Sequence, residues 1–370
     1  MRSLHRAALE AVDPRRAVAA ALSVPEVARA LRGARRVGVF AAGKAAVGMF
    51  RAAWRPGRAG LLVVPSGYPG VRWPGATVLF SAHPEPDVSS VRAARAALRF
   101  FSSFGAQDVL LCLVSGGASS LLCLPRRGVG LSEKRRAVGK LVRSGAPIAE
   151  VNRLRTSLSA VKGGRLGRAT RARLVTLVVS DVPGDRPSLV GSGPTVRGRR
   201  GDVTRVVASN RAGLAAAAAE ARRLGLTPRI RRRRLEGEAR EVGNLLARRA
   251  KRLAPGEVLL AGGETTVALG QTAGKGGRNL EVALAAALSI ENVSGLALLA
   301  VGSDGKDGSS RGAGAVVDGR TIPRARRIGL DPTNSLRRHD TEPFFARLRD
   351  LVVTGPTGTN VGDFLFVLRS

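Results

Sequence analysis

The chain has 370 residues, 44% of them hydrophobic, so it exceeds the usual size of one core and we expect two domains. Its longest apolar stretches, 108–114 and 295–301, are far shorter than the roughly 20 residues of a membrane span. The net charge is +34, but only 7 of the 61 basic residues are lysine and aromatic residues make up 4%. Because base stacking needs aromatics near positive charge, we interpret this as arginine-biased composition rather than a specific nucleic-acid surface.

Cysteine and histidine form no recognisable metal or nucleophile pattern. Cys112 and Cys123 lie in apolar runs without metal-ligand spacing, so we expect buried free thiols in a reducing cytoplasm. His5 and His339 are expected to lie in solvent or in loops. His83 differs, because the proline-rich turn around it can hold it near a site.

The first predicted elements are an amphipathic helix over residues 1–22, a strand over 36–41 and a helix over 45–54. Lys44 lies in the turn between strand and helix, where the helix N-terminus presents unpaired N–H groups, so it is well placed to bind a phosphate or a carboxylate. Ala45 stands where a hydroxyl would bind Mg²⁺, so this turn is not a Walker A loop.

Further strands are predicted over residues 61–64, 77–80 and 109–114, with a helix over 89–101. The third of these strands ends in Ser115-Gly116-Gly117-Ala118-Ser119-Ser120. Ser115 could be a nucleophile, but no Ser-His-Asp order supports that interpretation. Anion binding by the backbone of this loop is the better hypothesis.

A pair of carboxylates follows the next strand. A helical period covers residues 152–165, and a hydrophobic strand over 174–179 ends in Ser180-Asp181-Val182-Pro183-Gly184-Asp185. Asp181 and Asp185 could form a Mg²⁺ or general-base pair, since hard cations prefer oxygen ligands. An Asx-turn followed by a helix cap explains the same residues equally well.

The middle of the chain supplies the predicted domain boundary. A strand over 206–209 leads to Asn210 and an alanine-rich helix, and a further helix covers 240–253 before Pro255-Gly256. We therefore predict two domains, residues 1–253 and residues 254–370.

Residues 258–284 contain the most informative stretch of the second half. A buried strand over 258–261 is expected to break at Gly262-Gly263 and to continue as a polar, glycine-rich loop up to Arg278, with a helix over 280–288. Glycine lets backbone N–H groups approach an anion, and arginine adds a planar, permanently charged fork. This loop is typical of phosphate or carboxylate binding.

Two more strands, 295–301 and 350–353, also end in glycine-rich loops, and residues 362–367 form the last apolar run. Asp304 and Asp307 resemble half of a calcium loop, but the spacing and the terminal glutamate are absent. The unit of a strand followed by a glycine loop recurs at least six times. Parallel strands with helices between them place such loops at one sheet edge, which predicts a single ligand site.

The chain resembles the class II glycerate kinases, the glycerate 2-kinases whose C-terminal part is the MOFRL domain. Nine motifs in order carry the resemblance: AAGKAA, SGGASSLL, NRLRTSLSAVKGGRL, SDVPGD, GSGPT, GGETTV, GGRNLE, GSDGKDG and GPTGTNVGD. It implies an α/β fold of two domains, the first a Rossmann-like three-layer sandwich with a mostly parallel sheet and the second a smaller α/β (MOFRL) domain, with the active site in the cleft between them. It also implies ATP with Mg²⁺ as phosphoryl donor and D-glycerate as acceptor, giving 2-phosphoglycerate and ADP.

The resemblance assigns roles to matching positions. The catalytic residues would be Lys44, Asp181, Arg278 and Asp304, with Asp181 and Asp304 also holding the metal. The residues that would bind the nucleotide are Gly43, Ser115, Gly116, Gly117, Asn210, Gly263, Glu264, Thr265 and Asn360. Two departures, Ala118 for a glycine and Leu280 for a glutamine, keep the backbone donors and the arginine.

Two other functions are weighed against this one. A hydroxypyruvate reductase is disfavoured because no dinucleotide fingerprint is present, and a basic nucleic-acid-binding protein would leave the glycine loops unexplained. We therefore expect a cytoplasmic kinase of small molecules without a nucleic-acid or membrane partner. The sequence leaves open which hydroxyl is phosphorylated and whether the chain is a homodimer.

Overall fold

The structure, a computed structural model, describes residues 1–68, 70–144, 148–269 and 274–370, so residues 270–273 of the predicted glycine loop lie outside it. The chain divides into two compact units. The N-unit comprises Asp13–Ser209 and Gly358–Asn360, and the C-unit comprises Met1–Val12, Asn210–Thr357 and Val361–Ser370. None of the helices in the described ranges is long and apolar enough to cross a membrane.

The N-unit alternates strands and helices along the chain. Its strands are β1 (Val37–Ala42), β2 (Gly60–Pro65), β3 (Ala76–Ser81), β4 (Val109–Ser115), β5 (Arg173–Ser180) and β6 (Val203–Ser209). Its helices are α2 (Pro14–Leu22), α3 (Pro25–Leu31), α4 (Ala46–Ala53), α5 (Val88–Ser102), α6 (Ala118–Leu121), α7 (Leu131–Arg143), α8 (Ile148–Ser157) and α9 (Arg165–Arg168), with 3-10 turns at Pro183–Asp185 and Val190–Ser192.

The six strands of the N-unit form one parallel sheet in the order β3-β2-β1-β4-β5-β6. This is the order of a doubly wound nucleotide-binding sheet, and it confirms the predicted Rossmann-like fold. Strands β2 and β3 follow on one side of β1, and β4, β5 and β6 follow on its other side, so the strand order reverses between β1 and β4. In such sheets, ligands bind beyond the carboxyl ends of the strands at that switch point.

Helices cover both faces of this sheet. On one face, α5 buries Ala97 and Phe101 against Phe40, Leu110 and their neighbours. On the other face, α2, α3 and α4 pack on the strands and on one another. Cys112 and Cys123 are buried free thiols, as predicted. The N-unit is therefore a three-layer sandwich, and its loops project from the two sheet edges.

The C-unit is also an α/β structure. Its strands are β7 (Thr227–Ile230), β8 (Leu235–Glu238), β9 (Glu257–Thr266), β10 (Leu296–Gly302), β11 (Gly314–Asp318), β12 (Leu351–Val352) and β13 (Asp363–Arg369). Its helices are α1 (Arg2–Ala11), α10 (Asn210–Arg223), α11 (Ala239–Ala250), α12 (Arg278–Ser289), α13 (Thr321–Arg327), α14 (Pro332–Arg337) and α15 (Thr341–Leu348).

The sheet of the C-unit is mixed rather than parallel, which corrects the expectation that parallel strands gather all the loops. Its order is β12-β11-β10-β13-β9-β7, with β8 also paired to β9, and the ladders of β13 with β9 and β10 are antiparallel. The loops after β9 and β10 still lie beside the loop before β13. The first residue of β13, Asp363, pairs with the last residue of β10, Gly302, and with Gly263 near the end of β9.

Strand β9 is longer than predicted. It does not break at Gly262-Gly263 but continues to Thr266, because β8 and β13 pair with its second half. Glycine is required here by close packing: a Cβ on Gly262 would overlap the Asn210 amide, and one on Gly263 would overlap the Leu235 carbonyl.

Two predicted helices are shorter than expected. The helix predicted over residues 1–22 is two helices, because the Asp13 side chain accepts a hydrogen bond from the Arg16 N–H at 2.7 Å and Pro14 begins α2. The helix predicted over 152–165 ends at Ser157. A turn of residues 158–164 then leads to α9.

The boundary between the compact units differs from the predicted division into residues 1–253 and 254–370. Residues 210–253 pack within the C-unit, because β7 and β8 pair with β9 and α11 packs against α12. Helix α1 also belongs to this unit through its contact with α10. The proline and glycine that suggested a boundary form a tight turn before β9, in which the Glu257 N–H bonds to the Ala254 carbonyl at 3.0 Å.

Candidate functional site

The turn after β1 is held against the loop after β4 in the N-unit. The Lys44 N–H donates to the Gly116 carbonyl at 2.9 Å, and the Ala45 N–H donates to Ser115 Oγ at 3.0 Å. Gly43 has φ +125° and packs so closely on Ser115 that a Cβ would overlap its hydroxyl. These contacts place the two predicted anion-binding loops side by side at the switch point of the sheet.

Asp181 reaches the same loop from the end of β5. A Cβ on Gly116 would overlap the Asp181 carboxylate and lie 2.9 Å from the Asn360 amide nitrogen. Asn360 Nδ2 donates to Asp181 Oδ2 at 3.4 Å. Gly116 is therefore glycine because two predicted site residues approach its backbone.

His83 lies at the same place. The nearest atoms to a Cβ built on Gly117 would be Cδ2 and Nε2 of the His83 ring, both at 3.2 Å, and Lys44 Cγ at 3.3 Å. The structure thus brings together most of the residues predicted in this half of the chain, with His83 in addition. We call this group the lysine cluster: Gly43, Lys44, His83, Ser115, Gly116, Gly117, Asp181 and Asn360.

Arg278 forms the centre of a second group in the C-unit. Its Nε and Nη2 donate to the two oxygens of Asp363 at 2.7 and 2.9 Å, and its Nη1 donates to Glu264 Oε1 at 2.9 Å. Asp363 is buried, whereas the Glu264 side chain is half exposed. Three of the five guanidinium N–H groups thus bind carboxylates, and two can contact a ligand.

The helix that starts at Arg278 is capped by a residue from another loop. Asp307 accepts hydrogen bonds from the N–H groups of Asn279 and Leu280 at 3.1 and 2.9 Å, and Asn279 Nδ2 bonds to both Asp307 and Asp363. A carboxylate at a helix N-terminus is stabilising. Asp307 therefore orients α12, and with it Arg278.

Asp304 lies nearby, in the loop after β10. Its Oδ1 accepts a hydrogen bond from the Lys306 N–H at 3.1 Å and lies 3.4 Å from the position of a Cβ on Gly302. Asn279 Nδ2 lies 3.5 Å from the same position. We call the group the arginine cluster: Glu264, Arg278, Asn279, Asp304, Asp307 and Asp363.

Three further residues predicted to bind the nucleotide have structural contacts in the C-unit. The buried Asn210 amide donates to the Asp363 carbonyl at 2.9 Å and packs on Gly262. Gly263 and Thr265 lie within β9, and the Thr265 hydroxyl is buried without a hydrogen-bond partner among the described residues. Their roles in nucleotide binding stay predictions, while their contacts tie α10 to β9 and β13.

Electrostatics keep the key cation charged. Burial alone would lower the pKa of Arg278, but the charge of Asp363 and its hydrogen bonds outweigh burial and raise that pKa above its usual value. Burial raises the pKa of Asp307 to about 7, although the hydrogen bonds from Leu280 and Asn279 act in the opposite direction.

The described carboxylates offer limited ligation for Mg²⁺. Within the described ranges no group of three or more His, Cys, Asp or Glu side chains is arranged to hold a metal ion. Mg²⁺ bound together with substrate phosphates needs only one or two carboxylates, however. Asp181, partly exposed at the switch point, fits such a site, and Asp304 is a second partly exposed carboxylate at a strand end.

Some residues in or near these clusters were not predicted from the sequence as site residues. Asp363 closed the last recognised motif, yet its pairing with Arg278 spans 85 residues and has no local signal. Arg234 belongs to a run of four arginines, Arg231–Arg234, that has no local signal of a site, but its Nη2 lies 2.9 Å from the position of a Cβ on Gly362, beside Asp363. His339, expected in solvent or in a loop, lies in the turn between α14 and α15 and is bonded through Nδ1 to Glu281 at 2.7 Å.

Comparison with known families defines the class of protein first. Residues 1–224 match a family described as a domain of unknown function, DUF4147, and residues 257–363 match the MOFRL family. Together with the doubly wound sheet and its anion-binding loops, these matches define a two-unit α/β protein of the DUF4147–MOFRL type.

The chain belongs to the MOFRL-containing glycerate kinase family. The glycerate 2-kinase of Pyrococcus horikoshii is 33% identical over 98% of this chain and 94% of its own length. A crystal structure of glycerate kinase from Thermotoga maritima superposes with a TM-score of 0.86 at 31% identity, covering 99% of this chain and 98% of that one. An Agrobacterium vitis protein with the provisional name of a hydroxypyruvate reductase is 38% identical over 100% of this chain and 93% of its own length.

Proposed function

We propose that this chain transfers the γ-phosphoryl group of ATP to the 2-hydroxyl of D-glycerate, giving 2-phosphoglycerate and ADP. The observation that supports this most strongly is the convergence of Lys44, Gly116 and Asp181 at the switch point of a doubly wound sheet. It occurs in a chain that aligns over almost its whole length with a glycerate 2-kinase. Phosphoryl transfer needs positioning and charge stabilisation more than covalent chemistry, and these loops offer both.

In this proposal Lys44 binds an anionic oxygen of the reacting groups. Its backbone is fixed on both sides, by the Gly116 carbonyl and by the Tyr68 hydroxyl, which donates to the Lys44 carbonyl at 2.5 Å. The backbone of Lys44, from which the side chain extends, is therefore held in place. A pre-organised positive charge stabilises the charge that develops in the transition state without reorganisation.

Asp181 would orient the attacking hydroxyl or hold Mg²⁺. Its carboxylate is partly exposed and anchored through Asn360, which suits an orienting group. A loose transition state requires an oriented acceptor more than a strong base. When bound, Mg²⁺ would neutralise phosphate charge, and Asp181 is the N-unit residue proposed to hold it. Asp304 stays a predicted metal ligand within the C-unit.

Arg278 would supply a second fixed positive group. Asp363 and Glu264 hold three of its N–H groups, so the direction of the remaining two is determined by the protein. A guanidinium held in this way recognises phosphate or carboxylate with defined geometry. Because the same two carboxylates reduce the net charge of the arginine cluster, the main contribution of Arg278 to ligand binding would be the fixed direction of its N–H groups.

The reductase named among the relatives is the second candidate function, and one assay separates the two. The turn after β1 reads Ala42-Gly43-Lys44-Ala45 and lacks the G-x-G-x-x-G fingerprint of dinucleotide-binding sheets. We expect ADP formation that depends on D-glycerate and no oxidation of NADH or NADPH with hydroxypyruvate. Nicotinamide oxidation without ADP formation would overturn the proposed function.

A further inference from the structure

Lys162 is a buried lysine in contact with one of the site loops. It is 2% exposed and precedes α9 in the N-unit. Its ammonium group donates to the Ser119 carbonyl and, at 2.5 Å, to Ser119 Oγ. Ser119 lies two residues after the Ser115–Gly117 segment of the lysine cluster. Lys162 therefore holds this loop from a buried position through two hydrogen bonds to Ser119.

The contact continues into a second loop. Ser119 Oγ lies 3.0 Å from the hydroxyl of Ser192, which belongs to the Gly-Ser-Gly-Pro-Thr segment after β5. A charged ammonium can only donate, so Ser119 Oγ accepts from Lys162 and its own proton can point toward Ser192. The lysine thus sets the direction of a hydrogen-bond chain, from Lys162 through Ser119 to Ser192.

The two loops joined by this chain have little freedom to shift. Ser192 is buried at φ +62°, an uncommon conformation for a residue with a side chain, and its carbonyl accepts from the Gly163 N–H at 2.9 Å. A Cβ on Gly191 would lie only 2.8 Å from the Ala118 Cβ. Ordering of Ser119 is therefore transmitted to the loop after β5.

The charge of Lys162 is not balanced by a nearby acid. Burial lowers the pKa of Lys162 to about 7; the Cys123 thiol acts in the opposite direction, and Lys134 and Arg155 lower the pKa further. None of these three groups is a carboxylate, and a further cation, the Arg165 guanidinium, donates to the Lys162 carbonyl at 3.2 Å. Retaining a buried cation without an acidic partner is costly, and such residues concentrate at functional sites.

We propose that Lys162 is a positioning residue for the oxyanion-binding loops of the kinase site. It orders Ser119 and Ser192, and its positive charge favours the binding of an anionic oxygen by the loops after β4 and β5. That oxygen belongs to the carboxylate of the acceptor or to a phosphate of the donor. The inference rests on the proposed kinase function and deepens it.

The test compares four forms of the full chain: wild type, Lys162→Met, Lys162→Arg and the exposed control Lys140→Met. Steady-state rates are measured against D-glycerate and against ATP from pH 6 to pH 9. We expect Lys162→Met to raise the KM for one substrate about tenfold, Lys162→Arg to recover part of the loss, and the control to match wild type. A higher KM for D-glycerate assigns the carboxylate, and a higher KM for ATP assigns the phosphate.

The pH profile separates positioning by charge from a structural role. Because the wild-type lysine loses its proton near pH 7, the ratio of the mutant KM to the wild-type KM should fall toward one as the pH rises to 9. A folded Lys162→Met variant with a lower kcat or melting temperature, but with both KM values unchanged at every pH, would overturn the inference.

A second variant covers the case in which Lys162→Met does not fold. Ser119→Ala keeps the ammonium bond to the Ser119 carbonyl and removes the Ser119 hydroxyl, with its bonds to the Lys162 ammonium and to Ser192. A smaller increase of the same KM supports the proposal, and no change overturns it. An inactive wild-type chain would overturn the proposed function itself, whereas active wild type with unaffected variants overturns only the role of Lys162.

Discussion

At the scale of single residues, Lys44 has the most sharply defined setting. The hydrogen bonds of its backbone fix the origin of the side chain, so loss of the ammonium should not disturb the turn. We predict that Lys44→Ala lowers kcat/KM for D-glycerate by on the order of 10²–10³, the cost of removing one fixed electrostatic donor. The exposed Lys251→Ala variant serves as control, and near wild-type turnover of Lys44→Ala would refute the assignment.

Asp363 makes a separate prediction, because it holds the Arg278 guanidinium through two hydrogen bonds in a buried position. Asp363→Asn keeps the shape but removes the countercharge, and breaking a buried pair in this way costs about 3 kcal/mol or more. We expect a lower free energy of unfolding in urea together with reduced kinase activity. Unchanged stability and activity would show that Glu264 alone suffices to hold the arginine.

At the scale of loops and helices, Gly116 lies where the loops after β1, β4 and β5 contact one another. A Cβ there would overlap the Asp181 carboxylate, so Gly116→Ala should displace Asp181 and abolish activity while the sheet remains folded. Gly130→Ala is the matched control, because its nearest neighbour, Ser132 Oγ, lies at an ordinary 3.8 Å. Circular dichroism confirms folding, and an active Gly116→Ala enzyme would exclude Asp181 from the mechanism.

Helix α1 carries a pH-dependent element of stability. His5 is buried in α1, its Nε2 has no hydrogen-bond partner in the described part of the chain, and burial lowers its pKa to about 4. The unfolded chain binds a proton near pH 6.5 and the folded chain does not. The contribution of neutral His5 to the free energy of unfolding is therefore fully present above pH 6.5. It decreases by about 3 kcal/mol as the pH falls toward 4.

The measurement for His5 is urea unfolding of wild type and His5→Met at pH 7.5, 5.5 and 4.5. We expect the wild type to lose more free energy of unfolding than the variant over this range. Equal losses in the two proteins would show that other groups control the acid sensitivity. His5 was expected in solvent or in a loop, because a single histidine near a terminus gives no signal of the helix that will cover it.

Elements with a local signal were predicted well from the sequence. Strands β1, β4 and β5 of the N-unit are largely apolar runs, and they lie within one or two residues of their predicted positions. Strands β7, β8 and β11 were missed because they are short or carry charged residues. Strand β9 was cut short because its glycines pack against partners that are distant in the sequence.

The candidate site follows the same rule. Lys44, Gly116 and Asp181 were predictable because each follows an apolar strand, and parallel pairing brings such positions together. The partners of Arg278 were not predictable, because the antiparallel pairing of β13 with β9 and β10 determines where Asp363 lies. Lys162 was visible as part of a motif, but only the fold shows that its ammonium is buried against Ser119.

At the scale of the whole molecule, the net charge of +34 bears on substrate encounter. Both proposed substrates are anions, and a positive potential raises their local concentration. The attraction is screened over about 8 Å at physiological ionic strength, so binding by the two clusters must depend on their short-range contacts.

Phosphorus NMR of the intact protein with ATP, Mg²⁺ and D-glycerate shows directly whether a phosphoryl group is transferred to the 2-hydroxyl of glycerate. We predict a new monoester signal matching 2-phosphoglycerate, which grows as ADP appears. A 3-phosphoglycerate signal would retain the kinase and overturn the position of transfer. No phosphorylated product from folded, ATP-binding protein would contradict the claim.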